Sequence, residues 1–529
     1  MDDAINNLGL GKWQVLPIAT FLFIHSSYPT QFIAAVFTNM PIDYQCVEPL
    51  AQNDIINSFD NKCTIGNYSY ANKTFNTENN DTYLEKCNNF NYDTSKFKST
   101  FTSEFNLVCD QQWLSPLYKL SAFSGVIIGS LFTGLSDRWG RVIIIRTGIV
   151  IYAINVVVIG LVPNMIIIFV ARFIIGFCYE VLNASSFALM MEVLPTKWRS
   201  TVGAVSTNLS NTMSTIITGI VSYFVRDWRT LHLILSFPIY VAAILAIFLD
   251  KSPRWLVQKG KINEGVSVLQ KASRINRKIN PNDEEFSSYQ YIIDLNKMDG
   301  TSQDHEITQN KSFCNVVQSI FCKSAVCKIF IVMPLVWFFT AIVYWSLPLN
   351  ANNFTTNPYL YIVMIGLADI PPNAIGPILI KKFGNINTGT LMYIIASVCL
   401  LGVIIIPEQV WWLKWIIVPV SMSMISVNYM VCYIMSSELY PTVLRTIGFG
   451  TGSFIKHCGI LLASYITDLA SERGIKWLTN SISIGCCLFA LILARFLPET
   501  HRLPLCDTIL DVEQRQLRIK NRKTDETES

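Results

Sequence analysis

Five ionisable side chains stand inside otherwise apolar stretches of this sequence: Arg172, Glu180, Asp369, Lys456 and His457. A charge inside a bilayer is costly unless it is paired or faces water, so each marks a candidate place for binding or moving a charged solute. Structural explanations compete with that one. Arg172 is expected to hold neighbouring helices together, Lys456 could extend to the membrane surface or pair elsewhere, and His457 could be a neutral, hydrogen-bonded interior residue.

Patterns typical of enzymes and of ATP-driven pumps are missing from the sequence. None of the five histidines stands in an HExxH or zinc-ligand spacing, and no GxxxxGK[ST] phosphate-binding loop occurs. We therefore expect no enzymatic activity, no metal and no cofactor. The remaining classes are a transporter, a receptor and a membrane glycoprotein that does not transport.

The elements that would position these residues are twelve apolar stretches, each about as long as a bilayer crossing. Of the 529 residues, 51% are hydrophobic and only 15% are charged, whereas a soluble domain has about a quarter charged residues. The stretches, numbered here as spans 1 to 12, lie near 15–39, 115–135, 143–162, 165–191, 201–224, 230–249, 328–349, 359–380, 387–406, 411–436, 443–468 and 476–497. The sequence predicts an all-α membrane protein with twelve transmembrane helices.

Charged motifs repeat between the first six spans and the last six. EVLPTKWR at 192–199 recurs as ELYPTVLR at 438–445, and SDRWGR at 136–141 is answered by IKKFGN at 380–385. Parallel repeats predict two six-helix halves related by an axis along the membrane normal, with the substrate site between them.

These repeated charges predict conformational gates at one end of the bundle. In the first half, Asp137 is expected to bond to Arg138 and Arg141, and Glu192 to Arg199. Such bonds can hold one state and break as the halves rock. The alternative is that they only anchor loops. The full predicted set is Asp137, Arg138, Gly140, Arg141, Glu192 and Arg199 in the first half, and Lys381, Lys382, Glu438 and Arg445 in the second.

Basic residues predict the orientation, because they concentrate in loops on one side of the spans. The predicted cytoplasmic parts are residues 1–14, a linker at 251–327 with short amphipathic helices, and the tail at 498–529. The two helical bundles are then 15–250 and 328–497. The linker helices could lie on the membrane surface or in solvent.

The polar segment 40–113 falls on the opposite, extracellular side. It contains three glycosylation acceptors, Asn67, Asn72 and Asn80, and four cysteines, Cys46, Cys63, Cys87 and Cys109. Two disulfides are expected in that oxidising space, with three pairings possible.

Four signatures give the chain a resemblance to the organic cation, anion and carnitine transporter family of the major facilitator superfamily. They are FNLVCDQQW at 105–113, GLSDRWGR at 134–141, the pair DKSPRWL at 250–256 and ELYPTVLRTIGFG at 438–450, and RFLPETHRLPLCDTILDVE at 495–513. Val142 and Lys251 depart from the family pattern. The resemblance implies the major facilitator fold.

By the same resemblance, His457 stands where cation transporters have an Asp and the anion and carnitine branches an Arg. Glu180 stands where cation transporters often have a Lys, so the two charges look exchanged and Glu180 could pair with Lys456 or His457. Basic residues at this point of span 11 favour an anionic substrate. Asn373, where anion transporters commonly have a Lys, and the acidic Glu180 and Asp369 speak for a cation or zwitterion.

Aromatic and amide side chains are expected to complete the pocket, because rings bind amphipathic organic ions of either sign. Most aromatic residues in membrane helices serve packing instead. The resemblance favours Tyr344 and Trp345, and it gives Gln31 as a hydrogen-bonding amide. The predicted substrate-binding set is Gln31, Glu180, Tyr344, Trp345, Asp369, Asn373, Tyr433, Lys456 and His457.

Together these features predict a polyspecific secondary transporter of small amphipathic organic ions, with anions favoured, in the plasma membrane. Alternating access by exchange or facilitated diffusion is expected, with a counter-transported organic anion as a candidate partner and no nucleic acid. The alternatives are an organic cation or carnitine transporter, then a sugar porter or a non-transporting glycoprotein.

Overall fold

The computed structural model describes residues 2–40, 42–46, 63–66, 84–87, 89–94, 97–276, 324–351, 357–440, 444–475 and 477–500. Each predicted span corresponds to a long helix or to a helix with one break. The first half has spans 1 to 6 at Lys12–Phe32, Leu117–Leu131, Arg141–Leu161, Met165–Val193, Thr196–Phe224, and Trp228–Leu235 with Phe237–Ile247. The second half has spans 7 to 12 at Ser324–Leu349, Pro358–Ala368 with Ile370–Phe383, Asn385–Ile405, Trp411–Leu439, Arg445–Glu472 and Leu478–Arg495.

Short helices lie between the spans. They are Asp2–Leu8, Ala35–Thr38, Phe101–Glu104, Leu135–Trp139, Pro253–Gln258 and Ile262–Asn276, with 3-10 turns at Cys109–Leu114 and Glu408–Val410. The end of the bundle that carries the 40–113 segment is called the outer end below. The end that carries Pro253–Gln258 and Ile262–Asn276 is called the linker end.

Nine of the described helical segments are long and apolar enough to cross a membrane, and spans 1, 5 and 11 fall short of that composition. Span 5 shows the reason. Ser210, Ser214 and Thr218 are buried, and their hydroxyls donate to backbone carbonyls. A hydroxyl whose hydrogen bond is made by its own or a neighbouring helix can be buried in a bundle at little cost. Span 5 therefore has a polar face that is paired inside the bundle, while its apolar residues Val205, Ile217 and Phe224 stay exposed.

Close packing of spans 2 and 4 depends on two glycines that face each other. A Cβ on Gly125 would lie 2.0 Å from the carbonyl oxygen of Phe173, and a Cβ on Gly176 would lie 2.0 Å from that of Ala122. Small residues at such crossings let two membrane helices approach to backbone contact. Because span 4 carries Glu180 four residues after Gly176, this crossing also sets the depth of that carboxylate.

The outer loop carries small β structure that the all-α prediction did not include. Strand β1 (Tyr44–Cys46) pairs antiparallel with β4 (Phe90–Tyr92), and β2 (Thr64–Gly66) with β3 (Leu84–Lys86). Disulfides join Cys46 to Cys87 and Cys63 to Cys109, which selects one of the three possible pairings. The glycosylation acceptors Asn67, Asn72 and Asn80 lie outside the described residues.

The linker helix Ile262–Asn276 packs on the protein. Its Leu269 and Ala272 are buried, and the Asn276 side chain accepts a hydrogen bond from the Trp13 amide at 3.0 Å. The Trp13 indole donates to Asp250, which also pairs with Lys271 at 2.6 Å. The start of span 1, the end of span 6 and this helix therefore form one block at the linker end.

Candidate functional site

Polar side chains from both halves meet at the middle of the bundle. From the first half, Glu180 of span 4 is 7% exposed and accepts a hydrogen bond from Ser453 of span 11 at 3.2 Å. Its other oxygen lies 3.8 Å from Nε2 of His457. The structure thus brings Glu180 and His457 together across the two halves, and Lys456 is close enough to interact electrostatically with Glu180.

Lys456 is surrounded by aromatic rings. Its Nζ lies 5.8 Å from the centroid of the Trp337 ring, and edge-to-face contacts join that ring to Tyr429 at 5.1 Å and Tyr433 at 4.6 Å. An ammonium over an indole face is attracted by the ring quadrupole, which holds Lys456 beside Glu180 without a direct carboxylate bond. Unlike Glu180, Lys456 is only partly buried.

An aromatic contact also joins the two halves near the middle of the bundle. Tyr28 of span 1 meets the Trp345 ring edge to face at 5.0 Å and stacks on Tyr179 at 4.7 Å. Within the described part of the chain, the buried Tyr28 hydroxyl and the Trp345 indole N–H have no hydrogen-bond partner. Buried polar groups are almost always paired, so two orphans at this contact between the halves indicate a place where a ligand or water binds.

Asp369 lies at the break in span 8 and is bound by hydroxyl groups. It accepts a hydrogen bond from Tyr344 at 3.0 Å and another from Ser426 of span 10. The Tyr344 hydroxyl in turn accepts from the Asn211 amide at 2.9 Å, and Asn211 belongs to the first half. Asn373, on the next turn, donates to the Asp369 carbonyl at 3.0 Å. Both acidic clusters therefore include a contact between the halves.

Two predicted residues lie elsewhere. The Gln31 amide is buried and donates to Ser236 of span 6 at 2.7 Å, so it joins spans 1 and 6 instead of entering the cluster. Arg172 is fully buried, with its guanidinium 4.3 Å from the Tyr118 ring and hydrogen bonds to the Gln31 carbonyl. Arg172 packs helices, as its position in span 4 predicts.

The outer end of the cleft is closed by contacts between the halves. Lys119 of span 2 pairs with Asp468 of span 11 at 2.5 Å, and both side chains are largely buried. The Tyr359 ring, at the start of span 8, stacks on Phe37 at 5.2 Å and also meets Phe97 and Tyr223.

Towards the linker end the cleft is open. Tyr433 is 44% exposed, although it lies close enough to Tyr28 of the other half to interact with it electrostatically. Span 10 runs from the outer end to the linker end, so Tyr433 lies on the linker side of Tyr429. The central cluster is therefore reached from the linker end in this conformation.

At the linker end of the first half, Arg141 is the centre of the predicted gate. Its guanidinium lies 2.7 Å from Asp137 and 2.8 Å from Glu192. Gly140 precedes it with a φ of +100°, a conformation that glycine adopts without strain. The Trp255 indole covers this turn and donates to the Asp137 carbonyl at 3.0 Å. The predicted contact between Glu192 and Arg199 is not what is seen here. Glu192 pairs with Arg141, and Arg199 donates to the Leu194 carbonyl.

The second half repeats this arrangement with an amide in place of the guanidinium. Asn385 begins span 9 as Arg141 begins span 3, and its Nδ2 donates to Glu438 at 2.9 Å. Gly384 before it has a φ of +84°. Glu499 accepts from the backbone amides of Asn385 and Ile386 at 3.0 and 2.9 Å, which satisfies two unpaired donors at the start of span 9.

Lys381 and Lys382 were predicted to take part in the charged gate of the second half. Within the described contacts, neither lysine pairs with an acidic residue. Both are exposed, and the Lys382 ammonium lies over the neighbouring Phe383 ring at 5.2 Å. In this half the side chain at the Arg141 position is Asn385, which reaches Glu438 directly because it follows the same left-handed glycine turn. The Arg445 side chain lies outside the described residues.

Arg141→Ala is expected to lower the free energy of unfolding by about 3–5 kcal/mol, because Glu192 would keep a largely buried charge without its partner. Thermal unfolding of the purified protein in detergent, followed by tryptophan fluorescence, measures the change. Arg138→Ala is the matched control: it removes the same group from the same motif at an exposed position. It should change stability by no more than about 0.5 kcal/mol. Equal effects of both substitutions would contradict the role given to Arg141.

Comparison with known proteins shows the family. Residues 61–508 match the family described as "Sugar (and other) transporter". The chain belongs to this transporter family. It is therefore a multi-pass membrane transporter and not an enzyme.

Solute carrier family 22 proteins are among the transporter's relatives. The chain is 28% identical to solute carrier family 22 member 6 of Pseudopleuronectes americanus, over 83% of this chain and 76% of the relative. It is 27% identical to the organic cation transporter-like protein of Drosophila melanogaster, over 97% and 92%. In fold it is similar to the xylose transporter XylE from E. coli, with a TM-score of 0.60, 15% identity, and 92% and 97% of the two chains covered. XylE is a major facilitator superfamily protein, and this transporter shares that fold.

Several contact residues of this transporter were missed in the sequence. Tyr28, Asn211 and Ser453 carry no charge and lie among many similar side chains, so no pattern distinguishes them. Lys119 and Asp468 did carry a signal, since each is an ionisable residue near the end of an apolar stretch. The repeat alignment also placed Asn385 at the position of Arg141.

Proposed function

We propose that this protein transports small organic ions across the plasma membrane by alternating access, with organic anions preferred. In this orientation the linker end and both termini are cytoplasmic and the disulfide-bonded loop is extracellular, as the distribution of basic residues favours. The conformation described here then corresponds to a state open to the cytoplasm.

The observation that carries the anion preference is the unequal exposure of the two central charges. Glu180 is buried and its oxygens face Ser453 and His457. Lys456 is partly exposed, beside the exposed ring of Tyr433. A solute that enters the cleft therefore meets the ammonium first, and a carboxylate or sulfate gains most from that contact. The rings of Trp337 and Trp345 would bind its apolar part.

Binding of an anion would also weaken the contact between the halves. A substrate carboxylate beside Lys456 and His457 would compete with the Glu180 carboxylate for the same donors. Loss of that contact frees span 4 from span 11, which lets the halves rock. The relation is reciprocal, because whatever separates the halves changes substrate affinity by the same factor.

A cation or zwitterion transporter is the second candidate. The negative charge of Glu180 at the centre of the bundle is the observation that supports it. If Glu180 leaves Ser453 and His457 when the halves move, its carboxylate and the Lys456 ammonium could bind a zwitterion such as carnitine. The names of relatives include organic cation transporters, while the family description names sugars. A sugar porter would not need the paired charges at the centre.

Uptake into cells that make the protein tests the proposal. The probes are radiolabelled p-aminohippurate, tetraethylammonium, carnitine and xylose, each compared with cells that make the Lys456→Glu protein at equal surface amount. We expect p-aminohippurate uptake in the unmodified protein and its loss in the variant, because reversal of the accessible charge repels a carboxylate.

Lys328→Glu is the matched control, since it reverses an ammonium that lies over the Phe496 ring at the linker end, away from the cluster. It should leave uptake unchanged. Uptake of tetraethylammonium or carnitine without p-aminohippurate would overturn the anion preference but keep organic-ion transport. Uptake of xylose alone, or of no probe, would overturn the proposed function.

A further inference from the structure

Span 8 contains a buried carboxylate that the substrate site does not use. Asp369 is 6% exposed, and within the described residues its hydrogen-bond partners are two hydroxyls, Tyr344 and Ser426. Among the described residues, two other acids inside the spans have cationic or imidazole partners: Asp468 has Lys119 and Glu180 has His457. A carboxylate in a membrane interior that meets only neutral donors has a strong tendency to bind a proton.

The groups that face Asp369 from each neighbouring span are neutral. Span 7 contributes Tyr344, and span 5 reaches it through the Asn211 amide. Span 10 contributes Ser426 and, one turn on, Tyr429, whose ring packs on Tyr344 at 4.8 Å. The titratable group that span 9 sends inward, Tyr393, bonds instead to Thr340.

Cationic groups on the neighbouring elements lie far along them. In span 8, Lys381 follows Asp369 by twelve residues, which is roughly 18 Å along a helix. In span 5, Lys197 and Arg199 lie at the linker end, more than three turns before Asn211. These cations are therefore too far from Asp369 to form an ion pair with its carboxylate.

The backbone around Asp369 keeps this site in place. Span 8 breaks at Asp369, where the Ala368 carbonyl accepts from Ser423 at 2.7 Å and the Asp369 carbonyl accepts from Asn373 at 3.0 Å. Freed carbonyls at a helix break need partners inside a membrane, and here side chains supply them. The carboxylate is thus held at the junction of two half-helices in a fixed orientation.

The hydroxyl of Tyr344 connects the state of Asp369 to the contact between the halves. It donates to Asp369 and accepts from Asn211 of the first half. A protonated Asp369 no longer needs that donor, so the hydroxyl is free to reorient and the Asn211 contact weakens. The Tyr344 ring also packs on Tyr429, which interacts electrostatically with Lys456. The acid is therefore adjacent to the substrate site without being part of it.

We propose that Asp369 is the binding site of a proton that is carried together with the organic anion. The proton enters from the outer medium, binds one carboxylate oxygen in the outward-open state, and leaves to the cytoplasm from the state described here. One proton with one monovalent anion moves no net charge, so the membrane potential would not oppose anion entry. The identity of the co-transported anion rests on the proposed function, whereas the proton site does not.

Proteoliposomes that contain the full-length protein test the coupling. Uptake of radiolabelled p-aminohippurate is followed to steady state with and without an inward proton gradient, at a potential clamped by potassium and valinomycin. A gradient of one pH unit should raise steady-state accumulation about tenfold, and a change of the clamped potential should not alter it. Asp369→Asn should lose this response while it retains exchange of labelled for unlabelled p-aminohippurate.

Glu104→Gln is the matched control, because it neutralises another carboxylate, one that pairs with Arg229 of the same half and takes no part in the contacts between the halves. It should keep the tenfold ratio between uptake with and without the gradient. An Asp369→Asn protein that still responds to the gradient would overturn the proposal, as would p-aminohippurate uptake in the unmodified protein that ignores it.

A second measurement decides the proton site without any substrate. Infrared difference spectra of the purified protein between acidic and alkaline buffer should contain a protonated-carboxyl band that Asp369→Asn removes and Glu104→Gln retains. If no organic ion is taken up, the proposed function fails, and this band still decides the site. Its persistence in Asp369→Asn would overturn the proposal.

Discussion

Lys456→Ala together with His457→Ala is expected to reduce uptake of p-aminohippurate by at least about thirtyfold. The two residues supply the cationic and imidazole groups at the centre of the cleft, next to the Glu180 carboxylate. Removal of one partner of a buried charge contact costs about 2–5 kcal/mol, and a loss of 2 kcal/mol is already roughly thirtyfold in affinity. Uptake in cells, divided by the surface amount from biotinylation, measures the effect.

The two single substitutions separate direct contact from the structural alternatives. If Lys456 contacts the anion, Lys456→Ala should raise the KM for p-aminohippurate, and Lys456→Arg should restore most of the affinity. If Lys456 only packs against Trp337, the KM for p-aminohippurate should be no lower in Lys456→Arg than in Lys456→Ala. Unchanged anion kinetics in the double variant, with normal surface delivery, would remove both residues from the site.

Charge reversal of either member of the pair Lys119 and Asp468 is expected to open the outer end of the cleft. Two like charges would then face each other between spans 2 and 11 at a site that is largely buried. A broken buried pair costs about 3–5 kcal/mol, which shifts a two-state equilibrium by roughly two to four powers of ten. The exchanged double variant, Lys119→Asp with Asp468→Lys, should recover the closed outer end.

A cysteine reporter at the outer end measures this opening. Val363 of span 8 packs across the halves against Gly219 of span 5, so Val363→Cys should react with a membrane-impermeant maleimide only after the outer end opens. Labelling of the same variants with Val363 unchanged gives the background from the other cysteines, which is subtracted. Reversal of the exposed Lys251, which pairs with Glu264 at 3.1 Å, is the control and should not change labelling, because exposed pairs contribute little. Equal labelling of all variants would exclude the gate.

The helices and their order could be read from the sequence because a membrane leaves few choices. Backbone groups in a bilayer must bond within their own segment, so an apolar stretch of sufficient length is a helix. Spans 3 and 9 begin at Arg141 and Asn385, next to the glycine turns that the repeat alignment had matched. The bounds of span 1 were less accurate: it was predicted at 15–39, but the helix ends at Phe32 and a separate short helix, Ala35–Thr38, follows within the same apolar stretch.

The partners of the charged residues could not be read in the same way. Charge and repeat position predicted a gate that includes Arg141, Glu192 and Glu438, but the pairing of these residues depends on which helix ends meet. Arg141 pairs with Glu192, and the amide of Asn385 donates a hydrogen bond to Glu438. Likewise, the family resemblance placed Gln31 at the substrate, and it joins spans 1 and 6 instead.

The sequence by itself determined the class of this protein: a twelve-span, two-half membrane transporter with ionisable groups at the middle of spans 4, 8 and 11. The length of an apolar stretch, a repeated motif and the cost of a charge inside the membrane are local properties. They can therefore be read from the sequence without knowing how the helices pack. Only the tertiary structure decided that Glu180 meets His457, that Asp369 meets Tyr344, and that Lys119 closes the outer end with Asp468. Those contacts join residues far apart in the chain, and they form only when two helical halves pack at one particular angle and depth.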